Sequence, residues 1–173
     1  MNFEDKLPLS DHQIDDLFSP LEDIRRIALA VSGGRDSLAL MFLINKWLKN
    51  NKFEKDVVVL TVNHQLREES NAECAEVALI AQGYGFHHKI LIWHHENIKT
   101  SIQERARNAR YALMINYLKE NSIDTLVTGH TLDDKIETFL MRLSKGSGLE
   151  GLKSIQTSRN LNGINLFRPL LTM

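Results

Sequence analysis

The chain has 173 residues, 43% hydrophobic and 25% charged, with a net charge of −1. That length suits one domain with a substantial core, and the near-zero charge argues against a basic nucleic-acid-binding surface over the whole domain while leaving room for a local patch. A single cysteine, Cys74, excludes an internal disulfide and a Cys-x-x-Cys redox or zinc site; no apolar run is long enough to cross a membrane and the polar, acidic N-terminus is no signal peptide, so a cytoplasmic location is expected.

Residues 1–25 read as an N-terminal extension with short helices. Ser10-Asp11 caps one through Phe18, and Ser19-Pro20-Leu21-Glu22 opens another with proline at its first position. Ile27–Val31 is the first buried strand. A helix follows from about Ser37 to Lys49, its apolar stripe being Leu40, Leu43, Ile44, Trp47 and Leu48. Val57–Val62 is continuously apolar and β-branched, the mark of a strand covered on both faces of a parallel sheet.

Ser70-Asn71-Ala72-Glu73 has capping-box spacing for a helix that stops at Gly83, and His88–Trp93 reads as a third strand. Ser101-Ile102-Gln103-Glu104 is a second capping box, for a long helix to about Glu120. On it Ile102, Ala106, Ala109 and Leu113 are expected to face the core, with Arg107, Arg110 and Tyr111 opposite. Asp124–Thr128 is a short buried strand, and a further helix runs from about Leu132 to Ser144. One or two more turns are expected over Leu149–Ile155. Thr157–Arg159 and Ile164–Phe167 flank Asn160-Leu161-Asn162-Gly163, whose Asn-Gly pair signals a hairpin.

Strands thus alternate with helices from Ile27 to Ser144. The expected fold is α/β: a doubly wound, mainly parallel five-stranded sheet with helices on both faces and a C-terminal hairpin. The unit is expected to span residues 26–173. Its apolar end, Leu166–Met173, reads as the entrance to a further element. In such a sheet the ligand lies beyond the carboxyl ends of the strands, at the switch point of the winding. Ser32–Ser37, Asn63–Arg67 and Gly129–Asp134 should therefore share one site.

The first of these stretches is Ser32-Gly33-Gly34-Arg35-Asp36-Ser37, between strand and helix. Two glycines let the backbone approach a ligand, and free amides at a helix start favour phosphate oxygens. The spacing is neither a Walker A loop nor a dinucleotide fingerprint. Its plainer reading is a turn with serine caps.

After the fourth strand comes Gly129-His130-Thr131-Leu132-Asp133-Asp134-Lys135-Ile136-Glu137. Thr131 and Asp134 suffice for a cap, yet three carboxylates exceed what a cap needs. Asp133, Asp134 and Glu137 share a helical face and, with Asp36, suit Mg²⁺ held jointly with phosphates. Arg107 and Arg110 are either a solvated face or a clamp for phosphate. Lys145-Gly146-Ser147-Gly148 is a helix end and second glycine-rich loop. The pairs His87-His88 and His94-His95 lack metal-ligand spacing, Cys74 reads as a small buried hydrophobe, and Trp47 and Trp93 read as core.

The hexapeptide Ser32–Ser37 resembles the pyrophosphate loop of the N-type ATP pyrophosphatases. Adding Asn63-His64-Gln65-Leu66-Arg67, Ala106-Arg107-Asn108-Ala109-Arg110-Tyr111 and His130-Thr131-Leu132-Asp133-Asp134 through Gly146-Ser147-Gly148-Leu149, the chain from about Arg26 to Pro169 is similar to the N-terminal domain of the tRNA(Ile)-lysidine synthetase family. The departures are Gln65 for a glycine, Thr131 for a second histidine, Lys135 for glutamine and Lys145 for arginine.

The resemblance implies an ATP- and Mg²⁺-dependent ligase. It adenylates the wobble cytidine of isoleucine tRNA with a CAU anticodon, and free L-lysine then displaces AMP. It implies C-terminal tRNA-binding domains beyond this chain and admits a homodimer. Nucleotide binding is assigned to Ser32, Gly33, Gly34, Arg35, Asp36, Ser37, His64, His130, Gly146 and Ser147. Catalysis is assigned to Asp36, Arg107, Arg110, Asp133, Asp134 and Glu137, with Asp36, Asp133 and Asp134 as metal ligands. The alternatives are a tRNA-thiolating or amidotransferase-type relative, which shares the phosphate loop, and a nucleotide-binding module without catalysis.

Overall fold

The computed structural model describes residues 9–66, 69–95, 100–139 and 155–173, and the backbone of 140–144. Arg67, Gly146, Ser147 and all but the last residue of the turns expected over Leu149–Ile155 lie outside the described residues. The elements run α1 (Asp11–Phe18), a 3₁₀ turn (Ser19–Leu21), β1 (Arg26–Ala30), α2 (Arg35–Asn51), β2 (Asp56–Asn63), α3 (Ser70–Gly83), β3 (His87–Ile92), α4 (Ile102–Glu120), β4 (Thr125–Thr128), α5 (Leu132–Ser144), β5 (Ser158–Leu161), β6 (Ile164–Phe167) and a closing 3₁₀ turn (Pro169–Thr172).

One sheet carries all six strands, in the order β3-β2-β1-β4-β6-β5. It has six strands rather than five because both arms of the hairpin join it. β6 pairs parallel with β4, and only β5 runs antiparallel. The hairpin turns through Asn162 and Gly163 at φ 54° and 91°, the left-handed pair that a two-residue turn needs and that Asn-Gly supplies at low cost.

Alternate residues of the buried strands feed two cores. Ile27, Leu29, Val57, Val59 and Val127 pack with α1, α2 and part of α3. Ala28, Val58, Leu60 and Leu126 pack with α4. The period of two along each strand thus fixes which helix covers which face. Ile14, Phe18 and Leu21 are fully buried in the first core, so the short N-terminal helices are packed into the same body. No helix among the described residues is long and apolar enough to cross a membrane.

Local signals are met unevenly. Ser10 and Gln13 form a reciprocal capping box on α1. The boxes expected at Ser70 and Ser101 do not form: Glu69 is the N-cap of α3, and Ser101 caps α4 in a left-handed conformation without a side-chain bond. The core face of α4 is Met114, Ile115 and Leu118, whereas Ile102 is exposed. The side of α4 that packs on the sheet is the one carrying Tyr111, Met114, Ile115 and Leu118, so Tyr111 faces the core rather than away from it and the stripe Ile102, Ala106, Ala109 and Leu113 lies on the other side. Trp47 is fully buried, but Trp93 is only half-buried and belongs to neither core.

Lys55 ties the first core together in a way that charge patterning did not suggest. Its ammonium donates to the carbonyls of Leu21, Glu22 and Ile24 at 2.9, 2.6 and 2.9 Å and lies 5.5 Å from the Trp47 ring. It satisfies carbonyls that the end of a short helical turn leaves open. Lys55→Met keeps the stem and removes the donors. It should cost about 1–3 kcal/mol, the usual penalty for leaving partly buried acceptors unpaired. A urea titration with an unchanged midpoint would contradict this role.

Candidate active site

The winding reverses beside β1. From β1 the chain steps outward to β2 and β3, then returns to add β4 on β1's other side. Such a switch point opens a crevice at the carboxyl ends of the two strands. A cavity of about 950 Å³ lies there.

The glycine turn after β1 forms one wall. Gly33 has φ +84°, a conformation that side chains rarely adopt, and Gly34 is the N-cap of α2 with no side chain to cap it. The first amides of α2 therefore keep their donors for a ligand. Ser37 is turned inward: its hydroxyl accepts from Ser32 N at 3.2 Å and donates to Gly34 O at 2.8 Å. Ser37 thus braces the loop and, with Ser32, Gly33, Gly34 and Asp36, lines the cleft.

Gly129, directly after β4, sets how closely this wall is approached. A Cβ built there would lie 2.8 Å from the Asp36 carbonyl oxygen and 3.1 Å from Ser37 Cα. Both obstacles are backbone, so only glycine lets the end of β4 pass the first turn of α2.

From the second strand end, Asn63 and His64 reach the cleft. Asn63 Oδ1 accepts from Gln65 N at 2.9 Å, and Gln65 stands at φ 51°. This left-handed turn accounts physically for the glycine usual at that position in the resembling family. Burial lowers the His64 pKa, helped by the charges of Arg110 and His95.

α4 supplies Arg107, Arg110 and Tyr111 to the cleft, both guanidiniums lying beside the Tyr111 ring at 5.9 and 5.5 Å. α5 supplies Asp134 and Glu137. Asp134 also caps its helix, accepting from Thr131 N at 2.8 Å. Of the expected site residues, Arg35 and Asp133 are exposed and outside the cleft walls. Asp133 is one residue, about 100° of helix, away from Asp134.

His130 lines the cleft, its Nδ1 2.8 Å from Thr128 Oγ1. Its pKa is pushed down to about 4, first by burial and then by the charge of Arg168, with Asp134 opposing. The ring is neutral near pH 7. Arg168 itself went unassigned in the sequence. It is buried at the end of β6, its Nη1 donating to Gln156 O at 2.9 Å. Extending the strand-end rule to β6 would have found it. On the α3 wall, Ser70, Glu73, Cys74 and Glu76 also line the cleft, and nothing in the sequence pattern separated them from an ordinary helix face. Burial raises the Cys74 thiol pKa, so it is a poor nucleophile.

Two outcomes test this geometry. Gly129→Ala should destabilise by about 1–3 kcal/mol, as overpacking against fixed backbone does, and should weaken ligand binding at the loop; a thermal melt superimposable on the wild type would refute the close approach. For His130 the sign follows from a folded-state pKa near 4 against an ordinary value of 6.5. The unfolded chain takes the proton first, so stability is full above pH ~6.5 and falls as pH drops toward 4. His130→Asn should flatten that acid limb in urea titrations. An unchanged limb would assign it to His64 and His88, whose pKa values are lowered in the same direction.

Comparison with known proteins agrees with the geometry. A profile described as a PP-loop domain matches residues 7–173. The tRNA(Ile)-lysidine synthase of Wolbachia pipientis wMel is 46% identical over 147 residues, covering 84% of this chain and 34% of that protein. The enzyme of the same name from Orientia tsutsugamushi is 43% identical, covering 90% of this chain and 35% of that protein. That of Bradyrhizobium sp. BTAi1 is 40% identical, covering 98% and 48%. The chain thus spans about a third to a half of the length of these relatives. Among solved structures, a U34-tRNA thiolase from Methanococcus maripaludis with a [4Fe-4S] cluster superposes with a TM-score of 0.76 at 20% identity, covering 92% of this chain and 56% of that one, a likeness of fold alone. With its glycine turn set at the switch point of a six-stranded α/β sheet, and matched over nearly its whole length, the chain belongs to the PP-loop domain family.

Proposed function

We propose that this domain is the ATP-using part of a tRNA(Ile)-lysidine synthase. ATP adenylates the wobble cytidine of an isoleucine tRNA with a CAU anticodon and pyrophosphate leaves. The ε-amine of L-lysine then displaces AMP. The observation that carries the reading is the single cleft in which the PP-loop, two arginines of α4 and two carboxylates of α5 face one another, in a chain 40–46% identical to curated enzymes of that name.

The residues suit the steps. Charge moves onto the departing pyrophosphate, and α2's free amides with Arg107 and Arg110 stand where they can stabilise it as it develops. No group of three or more His, Cys, Asp or Glu among the described residues gathers tightly enough to hold a metal alone. That suits Mg²⁺, which takes one or two carboxylates and shares the substrate's phosphates. Asp36 is the candidate from the loop, and Asp134 and Glu137 from α5. When bound, Mg²⁺ would supply charge neutralisation at the phosphates. Neutral His130 can donate or accept one hydrogen bond without adding positive charge. Further tRNA-binding domains, a cytoplasmic location and a homodimer belong to the same proposal.

A thiolating relative shares the fold. Cys74, the only cysteine of this chain, is buried in α3, so these residues do not favour sulfur chemistry. The test uses the full-length protein with ATP, Mg²⁺, labelled lysine and unmodified isoleucine tRNA. Pyrophosphate release with label entering tRNA is expected. ATP turnover with no lysine incorporation would sink the lysidine reading. Asp36→Ala should lower turnover at least 100-fold, within the range for losing a charged group that acts on the transition state, with an unchanged melting temperature.

A further inference from the structure

Trp93 and His95 take no part in the reading above. They follow β3, and Trp93 N donates to Asn63 O at 2.9 Å, extending the β2–β3 pairing one step past the end of β3. That bond brings the indole beside His64, with ring centroids 5.7 Å apart and planes at 87°, an edge-to-face contact. His95 then turns back. Its ring lies 4.3 Å from that of Trp93, and its Nε2 is 2.9 Å from the His64 carbonyl oxygen. The donor in that bond is the imidazole N–H.

His64 is therefore held twice by one short segment, its ring by Trp93 and its backbone by His95. His64 lines the cleft, and its Nδ1 is buried with no hydrogen-bond partner among the described residues. A buried imidazole nitrogen left unpaired costs free energy unless a ligand satisfies it. A ring fixed in advance loses less entropy when that ligand arrives. Trp47, by contrast, is fully buried among Phe18 and Phe53, with the Lys55 ammonium over its ring, and is not part of the cleft lining.

The geometry points to Trp93 and His95 as positioning residues that hold His64 in place for the nucleotide. This rests on the reading of the cleft as an ATP site, which names the ligand but leaves Trp93 and His95 without a role.

The test is calorimetric titration of this chain with MgATP. Trp93→Ala should raise Kd about 2- to 10-fold, the span of a ring–ring contact, and Trp93→Phe, which keeps an aromatic edge, should return to within about twofold. His95→Ala, which removes the carbonyl bond without emptying the indole's place, should shift Kd in the same direction and serves if Trp93→Ala does not fold. The decisive measurement is a cycle with His64→Ala. Action through His64 means that Trp93→Ala or His95→Ala adds nothing further once His64 is gone. An additive loss, or wild-type affinity in both Trp93→Ala and His95→Ala, overturns the inference and leaves the ATP reading standing. A wild-type chain that does not bind MgATP overturns both.

Discussion

The site depends on one contact between backbones. β1 and β4 diverge in their connections at the centre of the sheet, and the chain after each must occupy the same small space. Gly129 passes the first turn of α2 at a distance no Cβ would permit. Because of that approach, the uncapped amides of α2 and the strand-end residues that begin with His130 face one cavity. Ser37 braces the turn from within, holding Ser32 and Gly34 together. The serine and the glycine are complementary: one keeps the loop's shape, the other lets the rest of the site come close.

Around this frame the charges are arranged by sign. Arg107, Arg110 and buried Arg168 gather near Tyr111 and His130, while Asp36, Asp134 and Glu137 stand at the helix starts and along α5. A domain of net charge −1 thus holds a local cationic wall opposite carboxylates. Binding a nucleotide's phosphates calls for the cationic side of this arrangement, which neutralises the anion. Burial, helped by these cations, lowers the pKa of both cleft histidines, and His130, at about 4, offers hydrogen bonds rather than charge near pH 7.

Much of this was legible. The alternation of apolar strands with amphipathic helices specifies the parallel sheet, and the strand-end rule gathers Ser32–Ser37, His64, His130 and Asp134 from the sequence alone. The errors have physical causes. The capping boxes at Ser70 and Ser101 fail because a cap depends on how the preceding loop arrives, not on spacing alone. The core face of α4 was misplaced because Ile102, Ala106, Ala109 and Leu113 form an apolar stripe of their own, on the side of the helix opposite Tyr111, Met114, Ile115 and Leu118, which pack on the sheet. Trp93 was read as core because size and apolarity do not reveal that the residue after β3 sits at an edge.

Sequence by itself determined the fold class, the glycine turn after β1 and the carboxylate and arginine motifs. Each is encoded within a few residues, by periodicity, by glycine or by charge. Only the tertiary structure decided that Gly129 must be glycine, that Arg168 is buried behind His130, that Asp133 turns away from the cleft while Asp134 lines it, and that Trp93 and His95 grip His64. Those depend on where separate elements meet, and contacts between residues far apart in the chain leave no periodic trace along it.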